Sequence, residues 1–160
     1  MEETLPLILK HMDLVSGRIY LLDKSGKSLV LVAHHGLDPG GLQRMRITEG
    51  FSGLAARTRS FVAYPVSSLQ DRNRASLLHS KGIKYVICVP LTLGEKLAGI
   101  MNLSSDKEWT LDDNVLALLT AVGNQLALAA YNAQLYKGFK KGTRIWIRIS
   151  KHMEIPTRCE

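Results

Sequence analysis

Cys88 is the residue whose type most readily suggests chemistry, and it stands inside the apolar run YVICVPL at 85–91. A reactive thiol needs an electropositive, partly exposed setting, whereas a free cysteine in an apolar strand behaves as a small hydrophobic residue. The second cysteine, Cys159, has no zinc-site spacing to Cys88 or to any histidine. The pattern predicts that Cys88 packs in the core and that the chain has no metal site.

His34 and His35 are adjacent at the end of the apolar segment SLVLVAHHG. Successive residues of a strand point to opposite faces of the sheet, so the pair is poorly placed to hold one metal ion. Packing at the strand end is the simpler interpretation, and a haem ligand role for either histidine is the alternative. No carboxylate pair and no Ser-His-Asp order is present, so the sequence names no catalytic residue.

Composition and charge describe an ordinary globular chain of 160 residues, with 46% hydrophobic and 22% charged residues, which suits one domain. The net charge is +7, and residues 138–160 contribute +4 of it. A basic terminal segment is usually solvated, and this distribution disfavours nucleic acid as a partner. No apolar run approaches the roughly 18 to 20 residues that span a bilayer. The N-terminus lacks the pattern of a signal peptide, and we expect a cytoplasmic protein.

The hydrophobic periodicity predicts an α+β fold with a central antiparallel sheet and helices packed on it. The predicted elements are a helix at 3–16 ended by Gly17, a hairpin of 18–23 and 28–36, a loop at 37–50, a helix at 51–58, a strand at 61–64, a helix at 71–81 with Asp71 near its start, strands at 85–91 and 97–103, and a helix from Thr110 to about Tyr136. Residues 138–142 are predicted to break the last helix. The alternation in 143–150 then favours an edge strand or sequence outside its native context.

The last predicted helix carries a heptad-like apolar seam, which is typical of helices that meet a second helix. With the apolar stripe of the first helix, this seam predicts a homodimer interface, and simple packing on the sheet is the alternative. The predicted interface residues are Leu5, Leu9, Met12, Val115, Leu119, Val122, Leu126, Ala129 and Ala133.

Four segments in this order resemble the GAF domain family: SGRIYLLDKSGKSLVLVAHHGL, ITEGFSGLAARTRSFVAYPV, YVICVPLTLGEKLAGIMNLSS and a helix ending in QLALAAYNAQLY. The resemblance covers about residues 4–137, which implies a GAF domain at 1–137 and leaves 138–160 as a basic tail of uncertain structure. It implies a PAS-related fold with terminal helices on one face of the sheet, and with short helices and loops that form a pocket on the other face. It implies a sensory or regulatory domain that is not an enzyme. Such a domain binds a small molecule or dimerises, and signals to an output domain such as a histidine kinase, a cyclic-dinucleotide enzyme or a transcription activator.

The resemblance places candidate ligand-binding residues near the implied pocket, with core packing as the alternative for the aromatic ones. They are Phe51, Ser52, Tyr64, Arg72 and Tyr85. An anionic ligand group would suit one of the arginines at 57, 59, 72 and 74, together with Ser52 or Ser67.

Three ligand-specific patterns of the GAF family do not match this sequence. The loop cysteines of free methionine sulfoxide reductases and of bilin-binding domains are missing, and so is the motif of cyclic-nucleotide-binding domains. The sequence therefore names no cofactor or ligand. A dimerisation domain without a ligand and a small-molecule enzyme on the same scaffold stay as alternatives.

Overall fold

A six-stranded antiparallel sheet forms the centre of the molecule. The computed structural model describes residues 1–152, and of residues 139–152 only the backbone. Its elements are α1 (Thr4–His11), β1 (Ser16–Leu22), β2 (Ser28–His35), β3 (Arg44–Arg46), α2 (Gly50–Thr58), β4 (Val62–Pro65), a 3-10 helix (Val66–Ser68), α3 (Arg72–Ser80), β5 (Tyr85–Leu93), β6 (Lys96–Ser105) and α4 (Asp113–His152). The strand order is β3-β2-β1-β6-β5-β4, which places the hairpin of β5 and β6 inside the sheet.

The two faces of the sheet carry different layers, and this confirms the predicted α+β class. On one face, Ile87, Val89 and Leu91 of β5 pack with buried residues of α1 and α4. On the other face, Cys88 packs with buried residues of α2, since side chains alternate along a strand. A third, smaller cluster lies between α3 and the 3-10 helix.

The N-terminal part differs from the sequence-based prediction at two places. α1 ends at His11 instead of reaching Gly17, and Asp13 follows in a left-handed conformation with φ of 53°. Gly17 lies within β1, where a Cβ would come 2.8 Å from Leu5 Cδ1. The predicted loop at 37–50 also contains β3, which pairs with β2. The sequence did not predict this strand, because only Met45 of its three side chains is partly buried and the segment has no apolar alternation.

Side-chain caps fix the starts of α3 and α4. Asp71 accepts a hydrogen bond from the Arg74 amide at 3.1 Å, which confirms Asp71 as the cap of α3. In α4 the cap is Asp112, whose Oδ1 accepts from the Val115 amide at 2.8 Å. The prediction that Thr110 opens this helix was therefore wrong by two residues.

α4 does not end at residues 138–142, and no strand forms at 143–150. The helix continues to His152, so both predictions for this segment were wrong. A glycine in a helix costs about 1 kcal/mol relative to alanine. The two glycines of this segment weaken a helix without forbidding one, and its lysines and arginines are good helix formers. The rest of the predicted basic tail, residues 153–160, lies outside the described residues.

The Asp113–Gly138 part of α4 is the one helix of the described chain with the length and composition of a membrane span, with a hydropathy of 1.3. The sequence has no unbroken apolar run of that length, because polar residues interrupt it. A core helix of a globular domain can have the same length and mean hydropathy. Leu119, Ala127 and Ala130 of α4 are buried on the sheet, and this packing accounts for one apolar face of the helix.

The predicted helical seam divides into two parts. Leu5, Leu9, Leu119 and Leu126 are buried against the sheet within one chain. The remaining members Met12, Val115 and Val122 are half-buried, and Ala129 and Ala133 are exposed. Packing within one chain therefore accounts for the buried part of the predicted seam.

Leu119 and its neighbour Leu118 offer a matched test of this division. Leu119 is 0% exposed and Leu118 is 50% exposed. We expect Leu119→Ala to lower the free energy of unfolding by about 3 kcal/mol, because truncation of a buried leucine leaves a cavity. In the monomer, Leu118→Ala should change it by less than about 1 kcal/mol, because half of this side chain is exposed in the single chain. Urea denaturation of both variants at two protein concentrations measures this, and equal losses would contradict the packing described for α4.

Candidate functional site: a cavity between the sheet and two short helices

A cavity of about 70 Å³ lies on the face of the sheet opposite α1 and α4. Its floor is formed by alternate residues of three neighbouring strands, and its roof by α2, α3 and the loops beside them. The floor includes Ser16, Arg18, Cys88, Asn102 and Ser104, and the roof includes Gly50, Phe51, Ser52, Arg74 and Leu78. A concave site with a few polar groups in an apolar surround is the usual form of a small-molecule site.

The register of the sheet brings the polar floor residues together. Arg18 of β1 is paired with Asn102 of β6, and Asn102 is paired with Cys88 of β5. Ser16 and Ser104 form the next pair, and their hydroxyl groups are hydrogen bonded to each other. Paired residues of neighbouring strands lie on the same face. The floor is thus a compact polar patch in the centre of the sheet.

One side-chain hydrogen bond ties the roof to the floor. Asn102 Nδ2 donates to Ser52 Oγ of α2 at 2.8 Å. Asn102 Oδ1 is buried without a hydrogen-bond partner among the described residues. Buried polar atoms nearly always have a partner, so this atom marks the cavity as a place where a polar molecule would be stabilised.

Cys88 lies at this floor and is almost completely buried. Burial raises the pKa of its thiol from 9.0 to about 12, and the Ser52 hydroxyl and the Arg74 charge only partly oppose this. At neutral pH the group is a thiol and a poor nucleophile. The prediction that Cys88 packs in the core is confirmed.

The predicted ligand-binding residues do not all lie at the cavity. Phe51 and Ser52 line it. Tyr64 lies outside and is 38% exposed, and its ring contacts that of Phe51 with centroids 4.8 Å apart. Arg72 is exposed on α3 and does not line the cavity, and Tyr85 packs against the cluster under α1 and α4.

Sequence reasoning missed Arg18 and Asn102, and it gave Arg74 no preference over the other arginines. A signal for the first two exists in the strand pattern. Polar residues alternate with apolar ones at Ser16 and Arg18 in β1, and again at Asn102 and Ser104 in β6. Polar positions on the same face of two central strands indicate a site, because a purely structural core would be apolar there.

The two histidines lie at the edge of this region. His34 is paired with Arg18 and therefore shares the cavity face of the sheet, whereas His35 is paired with Gly17 on the opposite face. Both side chains are exposed. Within the described part of the chain, no three His, Cys, Asp or Glu residues are grouped so that they could hold a metal ion.

The sheet, its two covering layers and the cavity define an α+β domain with a pocket between the sheet and two short helices. The chain belongs to the GAF domain family, whose model matches residues 1–132. No curated protein matches the chain at a significant level.

Solved structures show the same fold. The GAF domain region of a Geobacter sulfurreducens protein is 22% identical, with a TM-score of 0.73 over 82% of this chain and 90% of that one. The GAF domain of a two-component sensor histidine kinase from Bacillus halodurans is 19% identical, with a TM-score of 0.67 over 84% and 94%. A type II free methionine-R-sulfoxide reductase from Thermoplasma acidophilum is also 19% identical, with a TM-score of 0.69 over 82% and 90%. The scaffold therefore occurs in a sensor kinase and in an enzyme.

Proposed function

We propose that this GAF domain is a non-catalytic sensory module that binds a small molecule in the cavity, dimerises through α4 and signals to an output domain. The observation that carries the proposal is the position of β5 between the cavity and α4. Cys88 of this strand lines the cavity. On the other side α4 approaches closely at Gly123, where a Cβ would lie 3.1 Å from Pro90 O of β5.

This arrangement gives a physical route from ligand to helix. Interiors are close-packed, so a displacement of β5 by a ligand is transmitted to the helix that lies against it. A ligand that binds more tightly to one of two positions of α4 shifts the population toward that position. Phe51 and Ser52 are the ligand-binding residues that we retain from the sequence, since both line the cavity.

The dimer contact that we propose is a stripe on the exposed side of α4, here called the outer stripe. Its members are spaced by alternating three and four residues, as in helices that pack pairwise. They are Leu118, Ala121, Gln125, Leu128, Asn132 and Leu135, all exposed. Leu118 is 50% exposed and Leu135 is 71% exposed. Three leucines in one solvent-facing row suggest a surface that a second copy of the chain covers. Ala129 and Ala133 of the predicted seam flank it.

The similar methionine sulfoxide reductase shows that this fold can support an enzyme. In this chain, however, the cavity shows no activated nucleophile. Its thiol, Cys88, has its pKa raised to about 12 by burial. A cytoplasmic location, which the N-terminal sequence predicts, is part of the proposal. Candidate output partners are the histidine kinases, cyclic-dinucleotide enzymes and transcription activators that the family resemblance implies.

Sedimentation velocity of the 160-residue chain tests the dimer. We expect a dimer at micromolar concentration. Leu128→Glu should raise its dissociation constant about thirtyfold, because a carboxylate would be buried without a partner at the contact. Gln134→Glu is the matched control, since it adds the same charge on the opposite side of α4 and should leave the constant unchanged. A single-chain mass for the parent protein, or no effect of Leu128→Glu, would contradict this interface.

A further inference from the structure

The cavity carries positive charge that no acidic residue balances. Arg18 and Arg74 are its charged lining residues, and no Asp or Glu is among the described residues that form it. Within the described chain neither arginine forms an ion pair. Arg18 donates one hydrogen bond to the backbone oxygen of Asp38 at 3.0 Å. The Tyr20 hydroxyl is a second partner of this guanidinium. A guanidinium has five N–H donors, so further donors stay available for a ligand.

The positive charges of Arg18 and Arg74 both affect Tyr20 of β1. Burial raises the pKa of Tyr20, and the charges of Arg18 and Arg74 both oppose that effect. Tyr20 is two residues from Arg18 on the same face of β1, and its ring packs with Cys88. Arg18 lines the floor and Arg74 the roof of the same cavity, where they would bind a single anionic group together.

The first turn of α2 adds to this positive potential. Gly50, Phe51 and Ser52 begin this helix and line the cavity. The preceding residue, Glu49, gives no side-chain cap, and the first turn contains no acidic residue. An uncapped helix N-terminus presents amide N–H groups and the positive end of the helix dipole, which favour an anion.

Asn102 requires a hydrogen-bond donor on the ligand, in addition to the anionic group. Its Nδ2 is used by Ser52, and its buried Oδ1 has no donor among the described residues. A carbonyl oxygen can only accept, so a fitting ligand brings its own O–H or N–H donor. Asn102 is the cross-strand neighbour of Arg18 and both residues line the cavity, so one small ligand can contact both side chains. Two arginines and no carboxylate disfavour an ammonium donor.

We infer that the ligand is a short-chain carboxylate with a hydroxyl or amide donor beside the carboxylate. Its carboxylate lies between Arg18 and Arg74, its donor on Asn102 Oδ1, and its short apolar part against Phe51 and Leu78. The cavity of about 70 Å³ suits a molecule of few heavy atoms. This inference rests on the proposed function, because it names the ligand class of the same cavity.

The test uses four small probes of similar size and different charge on the full chain. They are lactate, propionate, which lacks the hydroxyl, lactamide, which lacks the charge, and alaninamide, which is a cation. Backbone amide shifts of Gly50, Phe51 and Ser52 in NMR titrations report binding. We expect lactate to bind about tenfold more tightly than propionate. Lactamide and alaninamide should give no shifts at the same concentrations.

Two arginines of one helix supply matched variants. Arg74→Gln should weaken lactate binding about tenfold, because a charged hydrogen bond is lost. Arg72→Gln removes the same charge two residues away and should leave the affinity unchanged, since Arg72 does not line the cavity. Asn102→Asp should abolish lactate binding, because it adds a like charge beside the carboxylate. Amide spectra show whether each variant keeps the fold.

The outcomes separate this inference from the proposed function. Binding of lactamide or alaninamide as tight as that of lactate would overturn the ligand class and keep a ligand-binding domain. Equal effects of Arg74→Gln and Arg72→Gln would overturn the anion site. Shifts from none of the four probes would overturn the ligand class, and the sedimentation test would then decide the dimer on its own.

Discussion

Gly99→Ala is expected to remove a large part of the stability of the domain. Gly99 lies in β6, paired with Leu21 of β1 on one side and Leu91 of β5 on the other. A Cβ at this position would lie 1.9 Å from the backbone oxygen of Tyr20 and 3.0 Å from Leu21 Cα. Backbone atoms of a central strand cannot move away without breaking the pairing on both sides. We therefore expect a loss above about 4 kcal/mol, out of the 5 to 15 kcal/mol typical of a domain.

Urea denaturation measures this loss, and Gly40→Ala is its control. A Cβ at Gly40 would meet nothing closer than Asp38 Oδ2 at 4.0 Å, so this variant should unfold at nearly the parent midpoint. If Gly99→Ala stays within about 1 kcal/mol of the parent, the register between β1 and β6 is wrong. Since this register pairs Arg18 with Asn102, the same result would also remove the polar floor of the cavity.

Cys88 is expected to resist alkylation by iodoacetamide in the folded protein. Burial raises the pKa of its thiol from 9.0 to about 12, so its reactive thiolate is about a thousandfold scarcer near pH 8 than in an unfolded chain. A Cys159→Ser background makes Cys88 the sole thiol. Mass spectrometry then compares the rate of alkylation with and without urea. Fast modification of the folded protein would contradict the burial of this residue.

The same pKa shift predicts a loss of stability at alkaline pH. The folded state holds the Cys88 proton more tightly than the unfolded state. The contribution of this group is therefore complete below pH 9 and falls as the pH rises from about 9 to about 12. The full loss amounts to about 4 kcal/mol, at 1.36 kcal/mol for each unit of pKa. Cys88→Ala should have a flatter dependence of unfolding free energy on pH over that range than the parent protein.

The order of the elements could be predicted because it depends on local periodicity. The apolar run at 85–91 and the stripe of α4 each bury one face, and both patterns are visible in short windows of sequence. β3 and the length of α4 could not be predicted in this way. In β3 only Met45 is partly buried. Beyond residue 138, two glycines and an alternation of isoleucines favoured a break, although each glycine costs a helix only about 1 kcal/mol.

The residues that line the cavity were harder to predict from the sequence, because their grouping depends on which residues are paired across strands. Arg18 and Asn102 are 84 positions apart and adjacent only through the β1–β6 register. The choice between Arg72 and Arg74 depended on the exact start of α3. Two residues along a helix differ by about 200° in direction. Asp71 caps that helix and thereby fixes which arginine lines the cavity.

The length of α4 has a geometric consequence for anything joined beyond it. The helix runs from the end of the matched family region at residue 132 to His152, which is roughly 30 Å at 1.5 Å per residue. A continuous helix also sets an angular phase, because each residue adds about 100°. An insertion of four residues in this shaft would turn the following segment by about 40°, and one of seven by about 20° in the other direction. The length of this helix would therefore set both the distance and the rotation of any domain joined after it.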